Sequence, residues 1–254
     1  MIAITGYTGL IGCSLGDKMA WDDTLLIGRD WEDVDSHADI LIHCAGPLET
    51  EDPKEMFKRC WRFNELLLRM AEKGLEKVIY LSTMSKRNDY YTMAHRLCER
   101  FVAHSGVPYV ILRLSNVYGL PTKEKNFRWH LVPYSFPAQA FYWQDIKVRN
   151  PHDVINFVSL FSVVKRIISA VTQDEVNSIS VVTGPDDIHV VDFAELCADT
   201  YSSKFGSSIG NVYCEVGPNR GSMCYTSSAL QSFLNELYSR FERGYYEDVL
   251  KGRF

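Results

Sequence analysis

The first twelve residues, MIAITGYTGLIG, constrain the fold more than any other stretch. Ile2, Ala3, Ile4 and Thr5 have a strand-forming pattern and run straight into Gly6, Gly9 and Gly12, while Leu10 and Ile11 begin a helical apolar stripe. The spacing predicts a strand, a tight turn and a helix start. Glycine suits such a turn because the chain must reverse sharply, let an anion approach the backbone, and pack the helix closely on the strand. Amide N–H groups at the positive end of the new helix would receive a pyrophosphate. The expected dinucleotide cradle is therefore Gly6, Tyr7, Thr8, Gly9, Leu10, Ile11 and Gly12.

With 254 residues the chain suits one large domain, or a large and a small one, and can bury a proper core. A net charge of −5 argues against nucleic acid as a partner, because phosphate neutralisation needs a basic field. The seven cysteines are an odd number, widely spaced, with no C-x-x-C pair, which reads as reduced thiols with no metal site. No apolar run approaches the ~18 residues of a membrane span, and the first strand begins at Met1, leaving no leader. The expectation is a soluble cytoplasmic protein with no membrane partner.

Beyond the turn the pattern predicts a helix from Leu10 to Met19 and a strand from Thr24 to Ile27 ending in Gly28, Arg29 and Asp30. An acidic residue at that strand end would bind a free ribose 2′-hydroxyl, and an arginine a 2′-phosphate. With Arg29 beside Asp30 the expectation leans to NADP over NAD. Too little chain then remains before the next strand, Asp39 to Cys44, for a full strand-helix unit. That strand is almost continuously apolar, as one buried on both faces should be, and ends in Cys44, Ala45 and Gly46, small enough to let backbone pass close to a cofactor. Pro53 to Lys73 reads as an amphipathic helix with Met56, Cys60, Phe63, Leu67 and Met70 on one stripe. A strand (Val78 to Ser82), a helix (Tyr91 to Ser105) and a strand (Val107 to Leu114) follow. The alternation implies a doubly wound parallel sheet. Leu120 to Asp153 would form a small lobe whose aromatics (Phe127, Trp129, Tyr134, Phe136, Phe141, Tyr142, Trp143) either stack on a base or sugar or fill the lobe's own core.

The segments GYTGLIG, ILIHCAG, VIYLST, YTMAHRLCE and YVILRLSNVYG resemble, in order and spacing, the successive signatures of the extended short-chain dehydrogenase/reductase family of nucleotide-sugar epimerases, dehydratases and reductases. INFVSLFSVVKRIISAV and SISVVTGPDDIHVVDFAELCA extend the resemblance over nearly the whole chain. It implies an α/β, Rossmann-like, doubly wound sheet with a small C-terminal substrate-binding lobe. Residues 1–119 would form the dinucleotide-binding core, and 120–254 a mixed region with the lobe and returning core elements at 153–183.

In that family a tyrosine transfers the proton, and a lysine four residues on binds the nicotinamide ribose and lowers the tyrosine pKa. Here Tyr91 matches the tyrosine, but His95 stands in place of the lysine. A neutral imidazole would be the weaker activator, since a free histidine titrates near pH 6.5. Lys58, aligned with a position that is usually asparagine, could supply the ammonium instead or be a surface residue. Met84 aligns with the hydroxyl that binds the reacting oxygen, so its neighbours Thr83 and Ser85 are the candidates. Ser82, Tyr91 and His95 complete the expected cofactor contacts, Arg113 reads as a structural or cofactor-side contact, and Asn116 and Arg220 are the expected substrate contacts. The family's second phosphate-binding arginine appears as Ile155. The resemblance implies an NAD(P)-dependent oxidoreductase acting on a nucleotide-activated sugar or related carbonyl compound, a keto-reductase or epimerase forming a homodimer. The departures at His95, Met84 and Lys58 favour the alternative, a non-catalytic member that binds dinucleotide or nucleotide sugar as a sensor or complex subunit.

Overall fold

The computed structural model describes residues 1–19, 23–28, 37–46, 52–120, 129–209, 211–214 and 227–247. Its elements run β1 (Ile2–Thr5), α1 (Leu10–Lys18), β2 (Thr24–Ile27), β3 (Ile40–His43), α2 (Pro53–Glu72), β4 (Lys77–Thr83), α3 (Tyr90–Ala103), β5 (Tyr109–Leu114) and β6 (Asn116–Tyr118). There follow α4 (Val132–Trp143), β7 (Asp145–Val148), β8 (Val154–Ser159), α5 (Leu160–Thr172), β9 (Ser178–Val182), β10 (Asp186–His189), α6 (Val190–Phe205), β11 (Asn211–Cys214) and α7 (Ser228–Glu242). The chain divides into two compact units, Met1–Ser115 with Phe161–Val182, and Asn116–Leu160 with Thr183–Phe254. This division differs from a boundary at 119 with a return at 153–183, because β6 pairs with β8, and β8 with β10, in a separate sheet.

The first unit holds a six-stranded sheet in the order β2-β1-β3-β4-β5-β9, parallel throughout. Its central strands are apolar on both faces, as the near-continuous runs of the sequence require: Leu41, Ile42, Val78, Ile79, Tyr80, Val110, Ile111 and Leu112 are inaccessible to solvent. Strand β1 lies between β2 and β3, so the chain leaves it on one side and returns on the other. Ligands of open parallel sheets bind beyond the strand ends at such a switch point. Thr5 and His43, the last residues of β1 and β3, are register partners there.

Helix α2 starts at Pro53, with Asp52 as cap accepting the Lys54 N–H at 2.8 Å. Its buried stripe of Met56, Cys60, Phe63, Leu66, Leu67 and Met70 covers the sheet. Helix α3 is capped by Asp89, which accepts the Thr92 N–H at 2.8 Å.

The second unit contains the sheet β10-β8-β6, the parallel pair β7 and β11, and helices α4, α6 and α7. The lobe aromatics fill its core. Tyr134 is fully buried and donates its hydroxyl to the Gly119 carbonyl at 2.8 Å. Phe136 stacks on Phe193, and Phe141 packs against Tyr201, Phe205 and Phe241. Trp143 stays exposed, and Phe127 lies outside the described residues.

Candidate active site

The glycine turn lies at the switch point of the first unit. Gly6 has φ +67°, a left-handed conformation that side chains disfavour, and a Cβ there would come within 2.8 Å of the Ala45 nitrogen. A Cβ on Gly12 would overlap the Gly6 carbonyl and lie 2.9 Å from the Tyr7 Cα. The turn is closed by the Gly9 N–H donating to the Gly6 carbonyl at 2.9 Å. Gly9 caps α1 with extended backbone and no side-chain cap bond of its own, and the first turn carries no acidic residue. A pyrophosphate fits this end, which allows close backbone approach and presents the N–H groups of a helix start. Thr8 is exposed, Tyr7, Gly9 and Ile11 are half-buried, and Leu10, the first residue of α1, is buried. Arg29 and Asp30 lie outside the described residues, as does Arg220.

Beside the turn, β3 ends in a buried histidine. His43 is 1 % exposed, shares a 2.8 Å hydrogen bond between Nδ1 and the Thr5 hydroxyl, and stacks on Phe63 with ring centroids 3.8 Å apart. Burial, aided by the charges of His95 and Arg59, pushes its pKa down from 6.5 to about 3, so it is neutral at physiological pH. Because the folded value lies below the unfolded one, the unfolded chain binds the extra proton between those limits, and stability is lost as pH falls from 6.5 towards 3. Urea unfolding of wild type minus His43→Phe should therefore fall with acidification by at most about 1.4 kcal/mol per pH unit. A flat difference would show that His43 titrates alike in both states. Cys44 follows, half-buried, with its thiol pushed up to about 12 by burial, hence no nucleophile. Ala45 and Gly46 are also half-buried.

Gly46 has a role that its sequence context did not reveal: a Cβ there would sit 2.8 Å from the His95 Cε1. His95 is 4 % exposed and bonded through Nδ1 to the hydroxyl of Tyr80, a fully buried residue of β4, at 2.9 Å. Burial holds the Tyr80 phenol well above its usual range, so it stays protonated within this pair. Tyr91 lies half-buried, its ring edge-on to His95 with centroids 4.7 Å apart. Lys58 is 56 % exposed and 4.0 Å from Glu55. The cation of α2 whose field reaches His43 is Arg59, the neighbour of Lys58.

The strand-end hydroxyls differ in environment. Ser82 is buried and donates to Glu99 Oε1 at 2.5 Å. Thr83 and Ser85 are half-buried, and the Thr83 hydroxyl accepts the Ser85 N–H at 3.1 Å. Glu99 is gripped by Arg113, with Nε to Oε1 at 3.0 Å and a second nitrogen to Oε2 at 2.6 Å, and by Arg96. Burial alone would raise the Glu99 carboxyl. Hydrogen bonds from Arg113 and Ser82 and both guanidinium charges outweigh it and hold the carboxyl below its usual value. Asn116 belongs to the second unit, where it is exposed and donates to the Asn156 carbonyl at 3.3 Å. Among the described residues no group of three or more His, Cys, Asp or Glu side chains could hold a metal ion, and no helix is long and apolar enough to cross a membrane.

A parallel sheet with a glycine turn at its switch point defines an α/β fold of the dinucleotide-binding type. No protein-family model and no curated protein matches the chain in sequence. Solved structures match it in fold. The UDP-glucuronic acid 4-epimerase of Bacillus cereus in complex with NAD superposes with a TM-score of 0.74 at 15% identity, covering 96% of this chain and 99% of that one. The UDP-glucose 4-epimerase of Thermotoga maritima with UDP-glucose gives 0.66 at 16% identity, again over 96% and 99%. RMD of Pseudomonas aeruginosa complexed with NADPH gives 0.69 at 15% identity, with the same coverage. The Rossmann-like fold expected from the resemblance to extended short-chain dehydrogenase/reductases is the fold that the chain has.

Proposed function

We propose that this protein is an NAD(P)-dependent oxidoreductase acting on a nucleotide-activated sugar, as an epimerase or keto-reductase. The observation that carries the reading is the glycine turn, with backbone that only glycine fits and a helix start capped by glycine, at the sheet's switch point. It is supported by the fold shared with the UDP-sugar 4-epimerases above.

In this reading Gly6 to Gly12 hold the pyrophosphate, Cys44 to Gly46 border the cofactor, and the Arg29 guanidinium favours the 2′-phosphate of NADP over NAD. The nicotinamide, when bound, takes or returns a hydride at a sugar carbon. Tyr91 moves the proton on the oxygen of that carbon, and Thr83 or Ser85 donates a hydrogen bond to the same oxygen. His95, in the place of the lysine, would contact the nicotinamide ribose, held in position by its hydrogen bond to Tyr80. Asn116 and Arg220 would contact the nucleotide sugar. Titration of the purified chain with NADH, NADPH and UDP, followed by nicotinamide fluorescence, tests the reading. Failure to bind either dinucleotide would overturn it, and dinucleotide binding without turnover of any UDP-sugar would select the sensor alternative, which the burial of His95 favours.

The homodimer expected of such a protein is supported by the outer face of α2 and α3. Trp61, Leu68, Tyr90 and Met93 are 45–58% exposed there, and Trp61 is edge-on to Phe101. Such a patch is costly to leave in water. The chain should sediment as a dimer and Trp61→Glu as a folded monomer; a monomeric wild type would refute the interface.

A further inference from the structure

The link from β4 to α3 spans only Met84 to Asp89, yet both candidate hydroxyls, Thr83 and Ser85, depend on it for their aim. Its first residue is tied to the sheet by the Met84 N–H, which donates to the Leu114 carbonyl at 2.9 Å. Ser85 Oγ accepts the Arg87 N–H at 3.2 Å and the Thr92 hydroxyl at 3.0 Å. Both of its lone pairs are then engaged, and its own O–H can only donate. That is the polarity a carbonyl or alkoxide oxygen requires.

Arg96 sits one helical turn beyond Thr92, with its side chain 29% exposed. One terminal nitrogen reaches Ser82 Oγ at 3.3 Å and Glu99 Oε1. The other donates to the Thr83 carbonyl at 2.9 Å and the Ser85 carbonyl at 3.0 Å, which uses both of its hydrogens. Arg113 already bonds both oxygens of Glu99, so neutralising that carboxylate does not require Arg96. What Arg96 adds is a planar fork that fixes two backbone carbonyls, those of the two residues carrying the candidate hydroxyls.

We infer that Arg96 is a positioning residue: its guanidinium clamps the strand-end turn so that the Thr83 or Ser85 hydroxyl is held on the reacting oxygen of the substrate. The catalytic meaning rests on the oxidoreductase reading; the clamp itself is a property of the first unit. A lysine cannot replace it, since a single ammonium on a flexible stem does not reproduce the fork.

The test is hydrogen exchange by mass spectrometry on the whole chain, with steady-state kinetics on UDP-sugars and nicotinamide cofactor. Arg96→Gln and Arg96→Lys should each raise exchange of segment 84–89 by about tenfold. Arg113→Lys, which loosens Glu99 without touching the turn, should change that segment by less than about twofold. In both Arg96 variants kcat should fall about tenfold or more while cofactor affinity stays within about threefold. Unchanged exchange at 84–89, or full rescue by lysine, overturns the clamp, and raised exchange with undiminished kcat overturns the positioning role. Should Arg96→Gln not fold, Arg96→Lys reads the same segment. A wild type that turns over no UDP-sugar overturns the oxidoreductase reading, and with it the positioning role, while exchange alone decides the clamp.

Discussion

Tyr91→Phe is expected to lower turnover of a UDP-sugar by about 10²–10⁴-fold, the usual worth of a positioned general acid or base. The expectation follows from the surroundings of the ring. Tyr91 is half-buried and edge-on to His95, and His95 is fixed by Tyr80 from within the sheet. Removing one hydroxyl leaves the ring-to-ring contact intact, so the fold and the cofactor affinity should stay within about threefold of wild type. Stopped-flow measurement of nicotinamide absorbance separates the two quantities. Equal turnover by wild type and Tyr91→Phe would assign proton transfer to some other group.

The second large effect is expected at Gly12. Gly12→Ala places a methyl group against the Gly6 carbonyl and 2.9 Å from the Tyr7 Cα, both backbone, so neither can rotate away. The turn must open. The expected cost is about 1–3 kcal/mol of stability, with dinucleotide affinity weakened by about 100-fold or more as the N–H groups lose their alignment. Gly16→Ala is the matched control on the same helix. The nearest atom to its added methyl is the Leu26 Cδ2 at 3.9 Å, ordinary packing distance. It should leave affinity unchanged and stabilise the helix by about 0.4–1 kcal/mol. Calorimetric titration with NADH and NADPH reads both variants, and comparable binding by Gly12→Ala and wild type would remove the phosphate role from the turn.

The parts of the fold that sequence makes legible are those with short-range periodicity. Ile2 to Thr5, the α2 stripe and the Tyr91 helix match their elements to within a residue or two, because apolar spacing, capping aspartates and glycine stops act locally. The short connection from β2 to β3 is also legible, since chain length alone leaves too little for a full strand-helix unit between them. Side-chain pairing across elements is less legible. Tyr80 meets His95 across fifteen positions, and Gly46 leaves room for that same imidazole. From sequence alone Gly46 reads as a small residue beside a cofactor and Tyr80 as one more apolar strand position. The lobe aromatics divide similarly: Phe141 meets α6 and α7 residues some sixty to one hundred positions on, which no local window contains. Arg96 adjoins the motif histidine, and nothing in its spacing distinguishes a backbone clamp from a solvated helix face.

The order of the six-stranded sheet also sets a timetable for synthesis. Strand β5 pairs with β9 through Val110 to Leu114 and Ser178 to Val182, and the segment between them includes β6, α4, β7 and β8 of the other unit. As the chain leaves the ribosome, β1 to β5 can assemble early, but the outer edge of β5 has no strand partner until Val182 emerges. An apolar parallel edge held open in this way is a site for mispairing. Chains halted between Ser115 and Phe161 should therefore depend on chaperones and aggregate on release, whereas those extended past Val182 should have this edge closed.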